Sequence, residues 1–400
     1  MPDAPFILDF VAPSRIIFGW GRRREVGAAA RSLGKRAFVV CGSRTLESSG
    51  QLQQIVAALT EAGVKPVTLA SVTREPLVAD VDACVDRLRG HHAGAGDLLL
   101  AVGGGSGIDL AKAAAALVAQ RDFVTTGDYL EGVGRGLKVI EPPLPLLAIP
   151  TTGGTGTEAT RNAVISSVDP PYKKSLRSEL MVPRIVLIDP ELAVSVPPHI
   201  TAWTGLDALT QLIESFMSRR ATPATQSIVW LGLQGAIEAL REAYRDGHSR
   251  SAREKLAQAA LYSGIALANS GLGMAHGVAA ALGVHCGVPH GLACAVMLPI
   301  ALKTNLEDTD ARRSFSRIAA AIFGMPPPDE AKNSKARIAA ALEKIRQLLE
   351  ELRIPRRLSE IGVLRGQIPD LVRDARGNSM SGNPRTLSDE KLTLILDEHL

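Results

Sequence analysis

A chain of 400 residues is too long for one small core and predicts two domains of ordinary size. Its 46% hydrophobic and 22% charged residues mark a globular protein and exclude a disordered one. The net charge of +4 is spread without a long basic run and aromatic content is only 4%, so no nucleic-acid partner is expected.

The opening MPDAPFILDFVAPSRII has no charged segment followed by an apolar block, and no secretory signal is expected. Next, SRIIFGWG reads as an edge strand and AFVVCG (37–42) as a buried strand, followed by a helix around LQQIVAALTEAG. PVTLAS (66–71) is a further strand, with a helix from about Val78 to Arg89. DLLLAVGGG (97–105) leads directly into the helical run IDLAKAAAALVA, and LPLLAIPTT (144–152) and RIVLIDP (184–190) complete the strand set. Strands alternating with helices predict a parallel sheet covered on both faces. From about Glu191 helical periodicity takes over, as in SIVWLGLQGAIEALREAY and KARIAAALEKIRQLLEELR. GMPPPDEAKN (324–333) is a proline-punctuated loop. The expected architecture is an α/β dinucleotide-binding domain over 1–190 and an all-helical domain over 191–400.

No Asp, Glu, Lys or Arg occurs between Lys255 and Lys303. Gln258, Asn269, histidines and glycines interrupt that stretch, so it reads as buried helices around a site and no membrane span is expected. The dispersed Cys41, Cys84, Cys286 and Cys294 form no CxxC pair and read as reduced, mostly buried thiols of a cytoplasmic protein.

AVGGGSGIDLAKA sets Gly103, Gly104, Gly105 and Ser106 between a strand and a helix. Glycines let backbone approach a phosphate, and the helix start supplies free N–H groups at its positive end. The run is not GxGxxG, because Ile108 stands where the third glycine would be, and it lacks a P-loop ending. IPTTGGTGTEAT is a second small, hydroxyl-rich turn after a strand. Two such turns at the ends of parallel strands favour a dinucleotide.

Asp207 and Gln211 in GLDALTQLIES lie four residues apart, on one helical face. With His276 and His290 they offer a carboxylate, an amide oxygen and two imidazoles, a set able to hold Fe²⁺ or Zn²⁺ with a position open for substrate oxygen. Alone, the DxxxQ pair reads equally as a solvated polar face, and each histidine as a core or loop residue.

In order and context, GGGSGIDLAKA, IPTTGGTGTE, GLDALTQLIES, AHG and PHG resemble the iron-containing (group III) alcohol dehydrogenase family, from FGWG to Asn383–Arg385. The resemblance implies a cofactor domain, a helical domain and an active site in the cleft between them. It implies NAD(P) binding by Gly103, Gly104, Gly105, Ser106, Asp109, Thr151, Thr152 and Thr155, with Thr160, Asn162 and Lys173 near the ribose and nicotinamide. It also implies a metal held by Asp207, His276, His290 and the residue at 211, with hydride exchanged with a small alcohol or aldehyde, and a homodimer by analogy.

Three positions depart from that pattern. Gln211 replaces a histidine ligand and would bind the ion less strongly. Ala280 stands where many members carry another histidine, leaving proton relay to water, the ribose or His285. CGSRTL presents Ser43 and Arg44, with no acid for an adenosine ribose, which admits NADP as well as NAD. The competing readings are a metal-independent maleylacetate-reductase-like enzyme, a dehydroquinate-synthase-like lyase and a non-catalytic cofactor-binding protein. PTTGGTGTE favours the dehydrogenase over the first, and the charge-free 256–302 disfavours the second.

Overall fold

The computed structural model describes residues 8–72, 74–322 and 334–400, less the side chains of Arg44 and Ser334. The loop expected at 324–333 and the Arg44 side chain therefore lie outside the described residues.

Eight strands run in chain order: β1 Arg15–Phe18, β2 Arg36–Gly42, β3 Lys65–Ser71, β4 Asp97–Gly103, β5 Leu146–Pro150, β6 Asn162–Val168, β7 Pro171–Arg177 and β8 Ile185–Ile188. Six form one parallel sheet in the order β1-β8-β5-β4-β2-β3. The central strands are apolar at nearly every position because both faces are covered. Phe38, Val40, Leu99 and Ala101 face the helices Val78–Gly90 and Gly105–Leu117. Val39, Cys41, Leu98, Leu100 and Val102 face Val26–Arg31 and Gln51–Glu61. Each such burial contributes about 1.5–3 kcal/mol.

From β2 the chain moves outward to β3, whereas from β4 it moves the other way to β5. The crevice this reversal opens, at the carboxyl ends of β2 and β4, is where an α/β sheet receives its ligand.

β6 and β7 form an antiparallel hairpin that the apolar pattern does not announce. Only Ala163, Ile165 and Leu176 of it are buried, so it has no continuous hydrophobic run.

After β8 every regular element among the described residues is helical. The charge-free stretch folds into the end of Arg250–Ser270, then Met274–Cys286 and most of His290–Asn305. No single helix among the described residues is long and apolar enough to cross a bilayer, and the first two of these are bent by 100°. Leu206, Leu240, Val278 and Phe315 belong to the core of this half. Val186 and Ile188 of β8 pack with Leu261 and Ile265, joining the helices to the sheet.

Candidate active site

The Gly105–Leu117 helix starts at the crevice, and its cap residue Gly104 provides no side-chain acceptor. Its first N–H groups are thus left for an anion. The approach is possible because three glycines meet there. A Cβ on Gly103 would lie 2.6 Å from the Gly42 Cα, and one on Gly107 2.9 Å from the same atom. Gly107 thereby does the close-packing work of a third fingerprint glycine, one residue earlier than GxGxxG demands. Real Cβ atoms do not approach so closely, which makes this cradle a fit for a pyrophosphate.

A cleft of about 1460 Å³, open mouth included, runs from this turn to the side chains expected to hold a metal. Its void proper, about 330 Å³, falls within the roughly 300–1,000 Å³ of ordinary small-molecule sites. Gly105, Ser106, Asp109, Thr155, Thr160, Asn162 and Lys173 line it. So do Asp207, Gln211, His276 and His290. Thr151 and Thr152 line a smaller adjoining cavity, with Thr152 Oγ1 3.5 Å from where a Gly104 Cβ would sit. Ser43 caps its own short helix by accepting from Leu46 N at 3.3 Å, and it is not among the residues lining the cleft.

Several of these residues serve the framework. Asp109 accepts hydrogen bonds from Thr157 Oγ1 and, at 3.0 Å, from Val164 N. Lys112, fully buried, donates to Thr157 O at 2.7 Å, Thr160 Oγ1 at 2.8 Å and Asn162 O. Burial lowers its pKa, against the pull of Asp109. Together they tie the hydroxyl-rich turn and the hairpin to the helix Gly105–Leu117. Lys173 of β7 pairs with Glu75 at the rim of the cleft.

At the other end, the helix Pro198–Met217 carries Asp207, Gln211 and Glu214 on one face, at i, i+4 and i+7. Glu214 escaped the sequence reading, although this spacing pointed to it. Its Oε1 accepts from Ala275 N at 2.7 Å and so caps the helix Met274–Cys286 from outside. Gly273 makes room, since a Cβ there would sit 2.8 Å from that oxygen. Glu214 Oε2 lies 2.7 Å from His276 Nδ1, while His276 Nε2 faces Asp207 Oδ1 at 3.1 Å. With its Nδ1 proton given to Glu214, the ring turns a lone pair toward a carboxylate. A proton on Nε2, or a divalent ion in its place, relieves that contact.

Burial disfavours charge on His276, yet Cys294, Asp207 and Glu214 hold its pKa well above the ordinary value. His290 is the opposite: burial pushes it down to about 4, so its ring is neutral. Its Nδ1 is buried without a partner, and its Nε2 lies 4.0 Å from Asp207 Oδ1. Asp207, His276, His290 and Cys294 offer donor atoms within 4.8 Å of one another. One carboxylate and two imidazoles, one of them oriented by a second carboxylate, fit a divalent ion.

Gln211, expected as a ligand, is turned otherwise. Its oxygen accepts from Ser263 Oγ at 2.7 Å, and its Nε2 faces two acceptors, Thr155 O at 3.2 Å and Asp207 Oδ1 at 3.3 Å. Swapping the amide atoms would set oxygen against both acceptors, so the orientation is fixed. In this arrangement the amide nitrogen, not its oxygen, is turned to Asp207.

Ala280 lines the cleft and adds no proton carrier. His285 Nε2 bonds Asp374 Oδ2 at 2.6 Å and does not reach the cluster. All four cysteines are free thiols, and Cys41, Cys84 and Cys294 are buried.

Comparison with known proteins agrees with this geometry. Residues 13–190 match the model of iron-containing alcohol dehydrogenase, and residues 201–400 that of the Fe-containing alcohol dehydrogenase family, C-terminal. The probable alcohol dehydrogenase EutG of Escherichia coli (strain K12) is 32% identical over 384 residues, 96% of this chain and 92% of that protein. The archaeal halo-thermophilic Red Sea brine pool alcohol dehydrogenase ADH/D1, bound to NZQ, superposes with a TM-score of 0.90 at 26% identity, over 100% of both chains. Sulfoacetaldehyde reductase from Bifidobacterium kashiwanohense in complex with NAD+ gives 0.85 at 29% identity, over 99% of each.

Proposed function

This chain belongs to the iron-containing alcohol dehydrogenase family, and from that premise we propose that it exchanges hydride between a nicotinamide dinucleotide and a small alcohol or aldehyde. The observation carrying this reading is that one cleft joins the uncapped start of the Gly105–Leu117 helix to Asp207, His276 and His290. When bound, the dinucleotide gives or takes the hydride, and a divalent ion held by those three side chains polarises the substrate oxygen.

The chain's own residues bind, orient and exclude water. Gly105 and Ser106 present backbone N–H groups to the pyrophosphate. Glu214 holds the Nδ1 proton of His276 and fixes the ring so that Nε2 faces the ion. Leu267, Leu272, Gly277 and Ala280 line the cleft with apolar surface, which keeps water from the reacting atoms. We take the division near residue 190 as the boundary between cofactor-binding and catalytic halves. Both NAD and NADP are admitted, because β2 ends in Gly42 and Ser43 without an acid. A homodimer is part of the reading: β1 is an outer strand of the sheet, and Leu8, Phe10 and Ile16 are exposed.

The test is oxidation of NADH and NADPH with a panel of short aldehydes, before and after thorough chelation. Turnover that chelation abolishes and added Zn²⁺ or Fe²⁺ restores is expected. Undiminished turnover after chelation would sink the metal-assisted version, and no turnover with any carbonyl would favour a cofactor-binding protein. Light scattering of the purified protein checks the dimer.

A further inference from the structure

The geometry points to Cys294 as a thiolate ligand of the divalent ion, in the place that the sequence pattern gives to residue 211. This rests on the reading of Asp207, His276 and His290 as metal ligands. Cys294 and His290 are i and i+4 on the helix His290–Asn305, so both project from one face. The Cys294 sulfur is 3.7 Å from His290 Nε2, and it lies within 4.8 Å of the donor atoms of Asp207 and His276. A tetrahedron with metal bonds of 2.0–2.3 Å has edges of about 3.3–3.8 Å. The contacts of 3.1 Å for Asp207–His276, 3.7 Å for Cys294–His290 and 4.0 Å for Asp207–His290 straddle that range. The Gln211 oxygen accepts from Ser263, and the amide nitrogen is the atom that faces Asp207.

Ligation breaks the S–H bond, forms the sulfur–metal bond and releases the proton to solvent. Two chemical consequences follow. Asp207 and Cys294 together neutralise a divalent charge, where a carboxylate and an amide would leave about +1. A thiolate also favours Zn²⁺ over Fe²⁺, since softer ligands select Zn²⁺ and a given site generally holds it more tightly. Four protein donors close a tetrahedral shell, so substrate oxygen enters as a fifth ligand.

The test replaces the native ion with Co²⁺ in the full-length protein. Expected are stoichiometric Co²⁺ and a near-ultraviolet thiolate-to-cobalt charge-transfer band that disappears in Cys294→Ser. Zn²⁺ affinity of that variant, measured against a competing chelator, should fall by at least about 100-fold, the upper end for loss of an outer partner. X-ray absorption on the unmodified protein keeps the idea testable if the variant does not fold. A sulfur neighbour at about 2.3 Å supports it. Bound Co²⁺ with only nitrogen and oxygen neighbours overturns it while leaving the metal site standing. Failure to retain any divalent ion overturns both.

Discussion

Glu214 meets His276 Nδ1 at 2.7 Å, and on the far side of the same ring Nε2 faces Asp207 Oδ1 at 3.1 Å. One imidazole is thus clamped between two carboxylates that lie two helical turns apart on the helix Pro198–Met217. The outer carboxylate orients the ring, and the inner one is placed to share a divalent ion with it.

Glu214→Gln therefore weakens metal binding without removing a ligand. The amide neither fixes the Nδ1–H tautomer nor lends its charge, and outer partners of this kind are worth 10–100-fold in affinity or activity. Competition titration with a chromophoric chelator measures the loss. An affinity equal to the parent would mean that the Glu214 carboxylate does not tune His276.

Gln211→Leu tests the amide. Because its oxygen is turned to Ser263, the variant should still retain one ion per chain, with affinity reduced by at most the same ~10–100-fold range. Metal analysis after dialysis decides it: complete loss of the ion would show that the amide oxygen is a ligand after all.

The glycine cradle predicts a cofactor effect separable from the metal. In Gly107→Ala the new methyl would press on Gly42 Cα at 2.9 Å, pushing the helix start away from the sheet. Overpacking of this kind costs about 1–3 kcal/mol. Fluorescence titration should show NADH binding weakened while metal content stays at the parent level. Parent-like NADH affinity would place the pyrophosphate elsewhere.

Stability should depend on pH through Glu158. Burial pushes its pKa up to about 7 from an ordinary value of 4.5, Lys112 opposing. A folded-state pKa above the unfolded one means that the native state binds the extra proton. Its contribution is full below pH 4.5 and is lost as pH rises toward and through about 7. A shift of that size corresponds to about 3 kcal/mol. Glu158→Gln removes the ionisation, so its thermal midpoint relative to the parent should climb between pH 5 and pH 8. A constant difference across that range would rule the ionisation out.

Much of the sheet is legible in the sequence. AFVVCG, PVTLAS, DLLLAVGGG, LPLLAIPTT and RIVLIDP all become strands of one parallel sheet; the four inner ones are apolar runs because both faces are buried, whereas PVTLAS, at the edge, buries only Leu69. The hairpin of β6 and β7 is not legible, since it buries so few of its side chains. Lys112 is hidden for a related reason: a lysine in an alanine-rich helix reads as solvent-facing, and the Asp109 carboxylate with the converging oxygens of Thr157, Thr160 and Asn162 makes its burial tolerable.

At the site, the order and spacing of motifs were enough to identify the family and to single out the glycine-rich turn and three side chains that meet in the cleft. These depend on local backbone geometry and short-range helical period, which the chain carries in itself. What surrounds them depends on contacts between residues 18 and 52 positions apart, Cys294 with His276 and Ser263 with Gln211. Ser263 turns the Gln211 oxygen away, and helix packing brings the Cys294 sulfur beside His276 and His290. Side-chain orientation follows from which hydrogen-bond partners three separate helices bring together, and no linear pattern encodes that choice.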